Sequence, residues 1–363
     1  MRVTVLAFCL ALASPALAQE VAPAAEAPAD KPAKPFSFVA MPIPVSNPAI
    51  GNGLAVAALG LYTHDQASPP WVTAVGGMYS DTHSWAVGLG QQANLRKDAV
   101  RLTLGGGGGD FHLDFYGVGA GAGARNRAIP IDQKGGGLLA EALFRVHPHT
   151  YVGVRYRGIA VKTTLDLSEI PFPDLQLPEL ELDSASSALG LVAEYDSRDS
   201  QFGPRKGSYA TAQWLVAAEA LGSDFDYGRF ELAANTYHAL SDKSVVAARL
   251  ALCDTGDGAP FYDLCMFGQN NDLRGYDPGR YRDHTLASVQ VEYRRDLFWR
   301  FGAVAFAGVG GVAPSFDKLG KLLPAAGVGL RFKASKAHAV NASVDFAFGE
   351  DSQAFYFYIG EAF

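Results

Sequence analysis

Three groups of residues in this chain have types and spacings that could do chemistry. The first is Leu273-Arg274-Gly275-Tyr276, where Gly275 permits a tight turn and Arg274 carries a guanidinium for a carboxylate such as Asp345. Such a pair favours bidentate geometry and would hold a loop in one orientation. The second is Cys253 and Cys265, close in sequence and the only cysteines beyond Cys9. In an exported chain an even, closely spaced pair reads as one disulfide closing a short loop. The third is a charged turn with Asp196, Arg198 and Asp199, followed by Pro204, Lys206 and Gly207.

Other candidates carry less. Serines and histidines are scattered, but nothing orders a nucleophile against a base, so no enzyme is expected. His147 and His149 flank a proline and lack further ligands, so they read as solvated turn residues and no metal is expected. Gly117-Val118-Gly119-Ala120-Gly121 invites a dinucleotide-loop reading, but no following helix or βαβ unit is expected, so no cofactor is implied. Asp166, Glu169, Asp174, Glu179, Glu181 and Asp183 lie in a proline-rich stretch. They read as a solvated loop or, more sharply, as carboxylates bridging divalent cations beside lipopolysaccharide.

The elements that must position these groups begin with an address. Met1-Arg2, an apolar core and Ala16-Leu17-Ala18 make residues 1–18 a signal peptide, too short for a membrane-spanning helix. Residues 19–40 are rich in Ala, Pro, Glu and Lys and read as a disordered periplasmic lead-in, leaving 41–363 as the folded domain. The formal net charge is −7 and no basic patch stands out, which argues against nucleic acid.

From Gly51 the pattern is one of strands. Ala287, Val289, Val291 and Tyr293 alternate with Ser288, Gln290, Glu292 and Arg294. Val340, Ala342, Val344, Phe346 and Phe348 alternate with Asn341, Ser343 and Asp345. Strict period two with one apolar face is a half-buried strand. Short turns are expected at 81–83, 106–108, 146–149, 241–243, 298–300 and 335–337, and longer loops near 121–134, 163–184, 253–283 and 313–322. Short inner turns and long outer loops are the asymmetry of bacterial outer-membrane barrels. The expectation is an all-β, transmembrane antiparallel β-barrel of about sixteen strands, with fourteen as the alternative. A long loop folded into the lumen precedes its twelfth strand.

At this point a resemblance becomes specific. Asn271-Asp272-Leu273-Arg274-Gly275-Tyr276 resembles the [VL]-R-G-[FY] loop motif of the BamA/TamA-type superfamily, the bacterial surface antigen family. The stretch with Asp196, Arg198, Asp199, Pro204, Lys206 and Gly207 resembles that family's periplasmic turn. Ala326-Gly327-Val328-Gly329-Leu330-Arg331-Phe332 is similar to its G-x-G-[LI]-R strand, and Phe357-Tyr358-Ile359-Gly360-Glu361-Ala362-Phe363 to its terminal strand. The resemblance covers 185–363 by motif and 40–184 by strand rhythm.

Two departures stand out. Only about thirty residues lie between the signal peptide and the first strand, too few for a periplasmic POTRA module. Phe306-Ala307-Gly308 stands where the family has F-x-D, so Asp345, helped by Glu292, is expected to hold Arg274 largely alone. The resemblance implies a barrel in the bacterial outer membrane, acting in membrane biogenesis or remodelling. Its expected partners are outer-membrane lipid, lipopolysaccharide and the assembly machinery, with client proteins open. Phe357, Ile359 and Phe363 are expected to form an assembly signal, with Phe363 in the interfacial aromatic girdle. A passive pore whose polar lumen is lined by Arg155, Arg157, Arg229, Glu231, Arg249, Glu292, Arg294 and Arg331 is the second reading, and an outer-membrane enzyme the third.

Overall fold

The computed structural model describes residues 36–47, 50–62, 71–125, 127–165, 180–200, 203–267, 272–335 and 340–363. The expected signal peptide, most of the lead-in, the acidic stretch 166–179 and the turn residues 336–339 lie outside them. Sixteen strands follow one another in chain order in a single antiparallel sheet. They are β1 (Phe36–Asn47), β2 (Gly51–Tyr62), β3 (Trp71–Ser80), β4 (Trp85–Leu95), β5 (Val100–Phe115), β6 (Ile129–His147), β7 (Thr150–Leu165) and β8 (Leu180–Asp196). The second half comprises β9 (Gly207–Ala217), β10 (Tyr227–Ser241), β11 (Ser244–Thr255), β14 (Thr285–Phe298), β15 (Phe301–Ala313), β16 (Leu323–Ser335), β17 (Val340–Gly349) and β18 (Ser352–Ile359). The short pair β12 (Cys265–Met266) and β13 (Arg282–Asp283) belongs to the connection between β11 and β14. Among the described residues one α-helix, α1 (Ala120–Arg125), lies between β5 and β6.

Alternation sets which face each side chain takes. Val289 and Val291 are exposed on the outer surface, whereas Ser288, Gln290, Glu292 and Arg294 between them are buried inside. Val87, Leu89, Leu104, Leu191, Val328 and Leu330 continue the outward apolar band. An apolar exterior around a polar interior is the pattern of a barrel solvated by lipid, where each backbone group must find its partner within the sheet.

The barrel is nearly closed. β1 and β18 are the two ends of the sheet and lie beside each other, but no ladder joins them among the described residues. Ile43 of β1 and Phe357 of β18 both pack against the cluster of Ile50, Ala55, Met78, Ala86 and Phe111.

The strand count of sixteen conceals two misreadings of sequence that offset each other. β1 starts at Phe36, within the stretch expected as lead-in and ahead of the expected start at Gly51. Its prolines Pro42 and Pro44 disguise a strand, yet an edge strand tolerates proline because one of its rows of donors has no neighbour. Conversely, no turn interrupts β5 at 106–108. Gly107, Gly108 and Gly109 pair with Gly137, Gly136 and Gly135 of β6. A Cβ on Gly108 would stand 2.8 Å from the Gly135 carbonyl oxygen, so the glycines serve close strand approach rather than a bend. As a result the 81–84 turn joins β3 to β4 at the end that carries the long loops, opposite to its expected side.

Candidate functional site

The site is built on the connection from β11 to β14. Its first constraint is covalent: Cys253 and Cys265 form a disulfide with their Cα atoms 5.8 Å apart. Within and beyond the segment it closes, the loop enters the barrel and is fastened to strands on several sides. The Asp263 carboxylate accepts from Arg157 of β7 and from the Tyr227 hydroxyl of β10. Its backbone carbonyl accepts from Arg229 of β10. Asp272 pairs with Arg249 of β11 at 3.1 Å, and its carbonyl accepts from Ser288 at 2.7 Å and Gln290 at 2.8 Å on β14.

Leu273, Arg274, Gly275 and Tyr276 sit at the centre. Leu273 and Tyr276 are fully buried. Arg274 donates through Nη2 to Glu292 at 2.5 Å and through Nη1 to Asp345. Its guanidinium lies 3.5 Å from the centre of the Phe306 ring, close enough for a cation–π contact. Burial opposes the charged guanidinium, and the carboxylates of Glu292 and Asp345 outweigh it, so the Arg274 pKa rises above its ordinary value. Gly275 adopts φ +118°, and its N–H donates to the Tyr356 hydroxyl at 2.8 Å. The Tyr276 hydroxyl donates to the Pro324 carbonyl at 2.5 Å and accepts from the Glu350 N–H at 3.0 Å.

The expectation that Asp345 would act largely alone needs correction, since Glu292 holds Arg274 on equal terms. Gly308 has a positive role besides. A Cβ there would come within 2.6 Å of Gln290 and 3.0 Å of Leu273, so glycine leaves room for the seated loop.

The charges around Arg274 close into a ring. Glu292 also accepts from Arg294 at 2.5 Å, and Arg294 lies 3.6 Å from Glu361. Glu361 accepts from Arg331 at 2.7 Å, and Arg331 returns to Asp345 at 2.5 Å. Three arginines thus alternate with three carboxylates, contributed by the loop, β14, β16, β17 and the residues after β18. All six side chains are at most 9 % exposed.

Glu361 and Phe363 are where sequence reasoning went astray. The expectation that Phe363 sits in an interfacial aromatic girdle needs correction. Instead β18 ends at Ile359 and Gly360 turns at φ +97°. Phe363 is then buried inside among Tyr209, Tyr237, Val245 and Ala247. The glycine turn takes the chain off the sheet, and the arginine-lined wall accepts Glu361.

The charged turn after β8 forms a separate, compact unit. Arg198 donates twice to Asp196, at 2.9 Å to each oxygen, and stacks 4.0 Å over the Tyr209 ring. Asp199 accepts from the backbone N–H groups of Arg205 at 2.9 Å and Lys206 at 3.2 Å. Pro204 is buried, and Gly207 turns at φ +97°, where a Cβ would meet the Ser197 carbonyl at 2.2 Å. Through Tyr209 this turn borders the pocket of Phe363.

A helix does follow the glycines at 117–121, contrary to expectation. The short α1 fastens the loop from above: Gly119 N–H donates to the Arg282 carbonyl at 2.8 Å, and Arg280 donates to the Gly123 carbonyl at 3.1 Å. His147 and His149 lie exposed in the turn between β6 and β7, where a His149 ring nitrogen is 2.9 Å from the Asp196 carbonyl.

A barrel with an unpaired seam, a loop arginine locked inside and a charged turn on the opposite rim defines a class. Residues 145–363 match the Omp85 superfamily domain, and the chain belongs to that superfamily. No curated protein matches it in sequence. Its fold is similar to that of BamA from Haemophilus ducreyi lacking POTRA domains 1–3, with a TM-score of 0.60 at 15 % identity, over 96 % of this chain and 77 % of that one. CdiB from Escherichia coli gives 0.60 at 10 % identity over 91 % of this chain, and CdiB from Acinetobacter baumannii 0.55 at 12 % over 87 %. The chain spans 63 % and 56 % of those two CdiB chains.

Proposed function

We propose that this barrel resides in the bacterial outer membrane and acts, without an enzymatic step, in outer-membrane biogenesis or local remodelling of the bilayer. The observation that carries the reading is the seam: β1 and β18 close the barrel without a ladder, in a chain of the Omp85 superfamily. An unpaired edge in lipid is expensive unless something pairs with it or the bilayer yields beside it. Its partners in this reading are outer-membrane lipid and lipopolysaccharide, and the assembly machinery during its own insertion.

The passive-pore reading has less support. Arg155 pairs with Glu141, Arg157 with Asp263, Arg229 with Glu231 and Arg249 with Asp272, while Arg294 and Arg331 belong to the ring. These six arginines are thus committed to internal carboxylates; Arg157 and Arg249 hold the loop through Asp263 and Asp272, and Arg294 and Arg331 hold the tail through Glu361.

The test is insertion of an urea-unfolded barrel into liposomes with and without the reconstituted protein. Faster folding in its presence, without a steady conductance in planar bilayers, is the expected result. A stable ohmic conductance with no effect on insertion would favour the pore and reject the assembly reading.

A further inference from the structure

The four residues after β18 are held unlike any others in the barrel. Gly360 keeps a backbone hydrogen bond to the Asn341 carbonyl of β17 at 2.7 Å, and the contacts that seat the three residues beyond it come largely from side chains of other strands. The Phe363 ring fills a pocket formed by Tyr209 of β9, Tyr237 of β10, and Val245 and Ala247 of β11. The Phe363 carbonyl accepts from Arg294 of β14 at 2.6 Å. Two residues earlier, Glu361 is held by Arg331 of β16 at 2.7 Å and by Asn341 of β17 at 2.6 Å. The wall thus reads three features of an extended peptide together: an aromatic ring, the carbonyl of the same residue, and a carboxylate two positions before it.

From this we infer that the pocket is a polypeptide-binding site, specific for an extended segment with an acid two residues ahead of an aromatic ring, and that the chain's own tail fills it in cis. Two observations point past simple packing. First, the tail leaves hydrogen-bonding capacity unused: Arg294 Nη1 and Asn341 Oδ1 are buried with no hydrogen-bond partner among the described residues. Buried polar groups are rarely left so, and a ligand with further donors and acceptors would satisfy them. Second, departure of Glu361 would leave three arginines facing two carboxylates in a buried ring, an arrangement that strongly disfavours an empty pocket. Replacement by another carboxylate-bearing segment restores the balance, so the chemistry favours exchange over vacancy. The tail is suited to leaving because it follows a strand that, among the described residues, has a ladder on one side only, and the strand ends at Ile359.

The inference does not depend on the assembly role, because binding is measured with no client to insert. The probe is a fluorescent peptide, Tyr-Ile-Gly-Glu-Ala-Phe, titrated by anisotropy against the full chain in detergent. The wild-type protein, its pocket filled, is expected to bind at least tenfold more weakly than the double variant Glu361→Gln with Phe363→Ala. Peptides with Gln for the Glu, or Ala for the Phe, should lose at least tenfold on that variant. Absence of saturable binding to a variant that still shows heat-modifiable migration would overturn the inference, as would equal affinity for all three peptides. Should the variant fail to fold, the wild-type protein is challenged with a peptide carrying benzoylphenylalanine in place of Phe. Photocrosslinks at Tyr237 or Val245 support the site, and crosslinks confined to the outer surface reject it. Peptide binding without any effect on barrel insertion would reject the assembly reading alone.

Discussion

Arg274 and Glu292 meet at 2.5 Å with neither side chain exposed, and Asp345 completes the contact from a strand 71 residues further along the chain. Breaking a buried pair by removing one partner leaves an uncompensated charge and typically costs about 3–5 kcal/mol. Arg274→Ala should therefore release the loop while the ladder of the barrel persists. Protease sensitivity across 256–284 should rise, with little change in the heat-modifiable band. A double-mutant cycle with Asp345→Asn should be strongly non-additive; additive effects would mean that the pair contributes nothing to seating the loop.

Gly275→Ala probes the turn without touching charge. At φ +118°, with Phe348 backbone atoms 2.9 Å from the added Cβ, alanine must strain or shift the loop, at a cost of about 1–3 kcal/mol. Urea unfolding followed by intrinsic fluorescence should show a lower midpoint. An unchanged midpoint together with unchanged loop proteolysis would contradict the close approach to Phe348.

The disulfide should matter more to the loop than to the wall. Closing a segment of 12 residues contributes about 3 kcal/mol by chain entropy, in a part of the molecule outside the ladder. Cys253→Ser with Cys265→Ser should raise loop proteolysis and leave heat modifiability intact. Two free thiols in protein isolated from its native membrane would remove the disulfide from the account.

Asp263 ties the loop to Arg157 and Arg229 on the wall opposite Arg274. Asp263→Asn with Asp272→Asn should unfasten that side and produce flickering openings in planar bilayers, where the wild-type protein stays silent. A wild-type trace as conductive as that of the variant would show that the loop does not occlude the lumen.

Much of the barrel was legible because period two is a local signal. Residues 287–294 and 340–348 could be assigned a face directly, and that assignment puts Asp345, Glu292 and Arg294 inside. Local signals failed where a residue type has two uses. Pro42 and Pro44 resemble a linker but belong to an edge strand, and Gly105 to Gly109 resemble a turn but permit strands to approach. The ring was only half legible. Its acids and arginines sit on readable faces, except for Glu361, which lies past a glycine that takes the chain off the sheet. The loop acids Asp263 and Asp272 were missed too, although six inward arginines called for carboxylates from somewhere.

Among the described residues the fastenings of loop and tail fall on β5, β7–β11, β14–β18 and α1. At the seam this makes the two lips mechanically unequal. β18 behaves as a door jamb, held to the loop by Tyr356 at Gly275 and to β17 by Tyr358 at Asp345, the residue that also holds Arg274. β1 is the leaf: among the described residues its ladder joins β2 alone, with Ile43 packed against the cluster that Phe357 also meets. In the proposed function a widening seam would move β1 and leave β18 in place, so the displaced lipid would lie on the proline-bearing side of the gap.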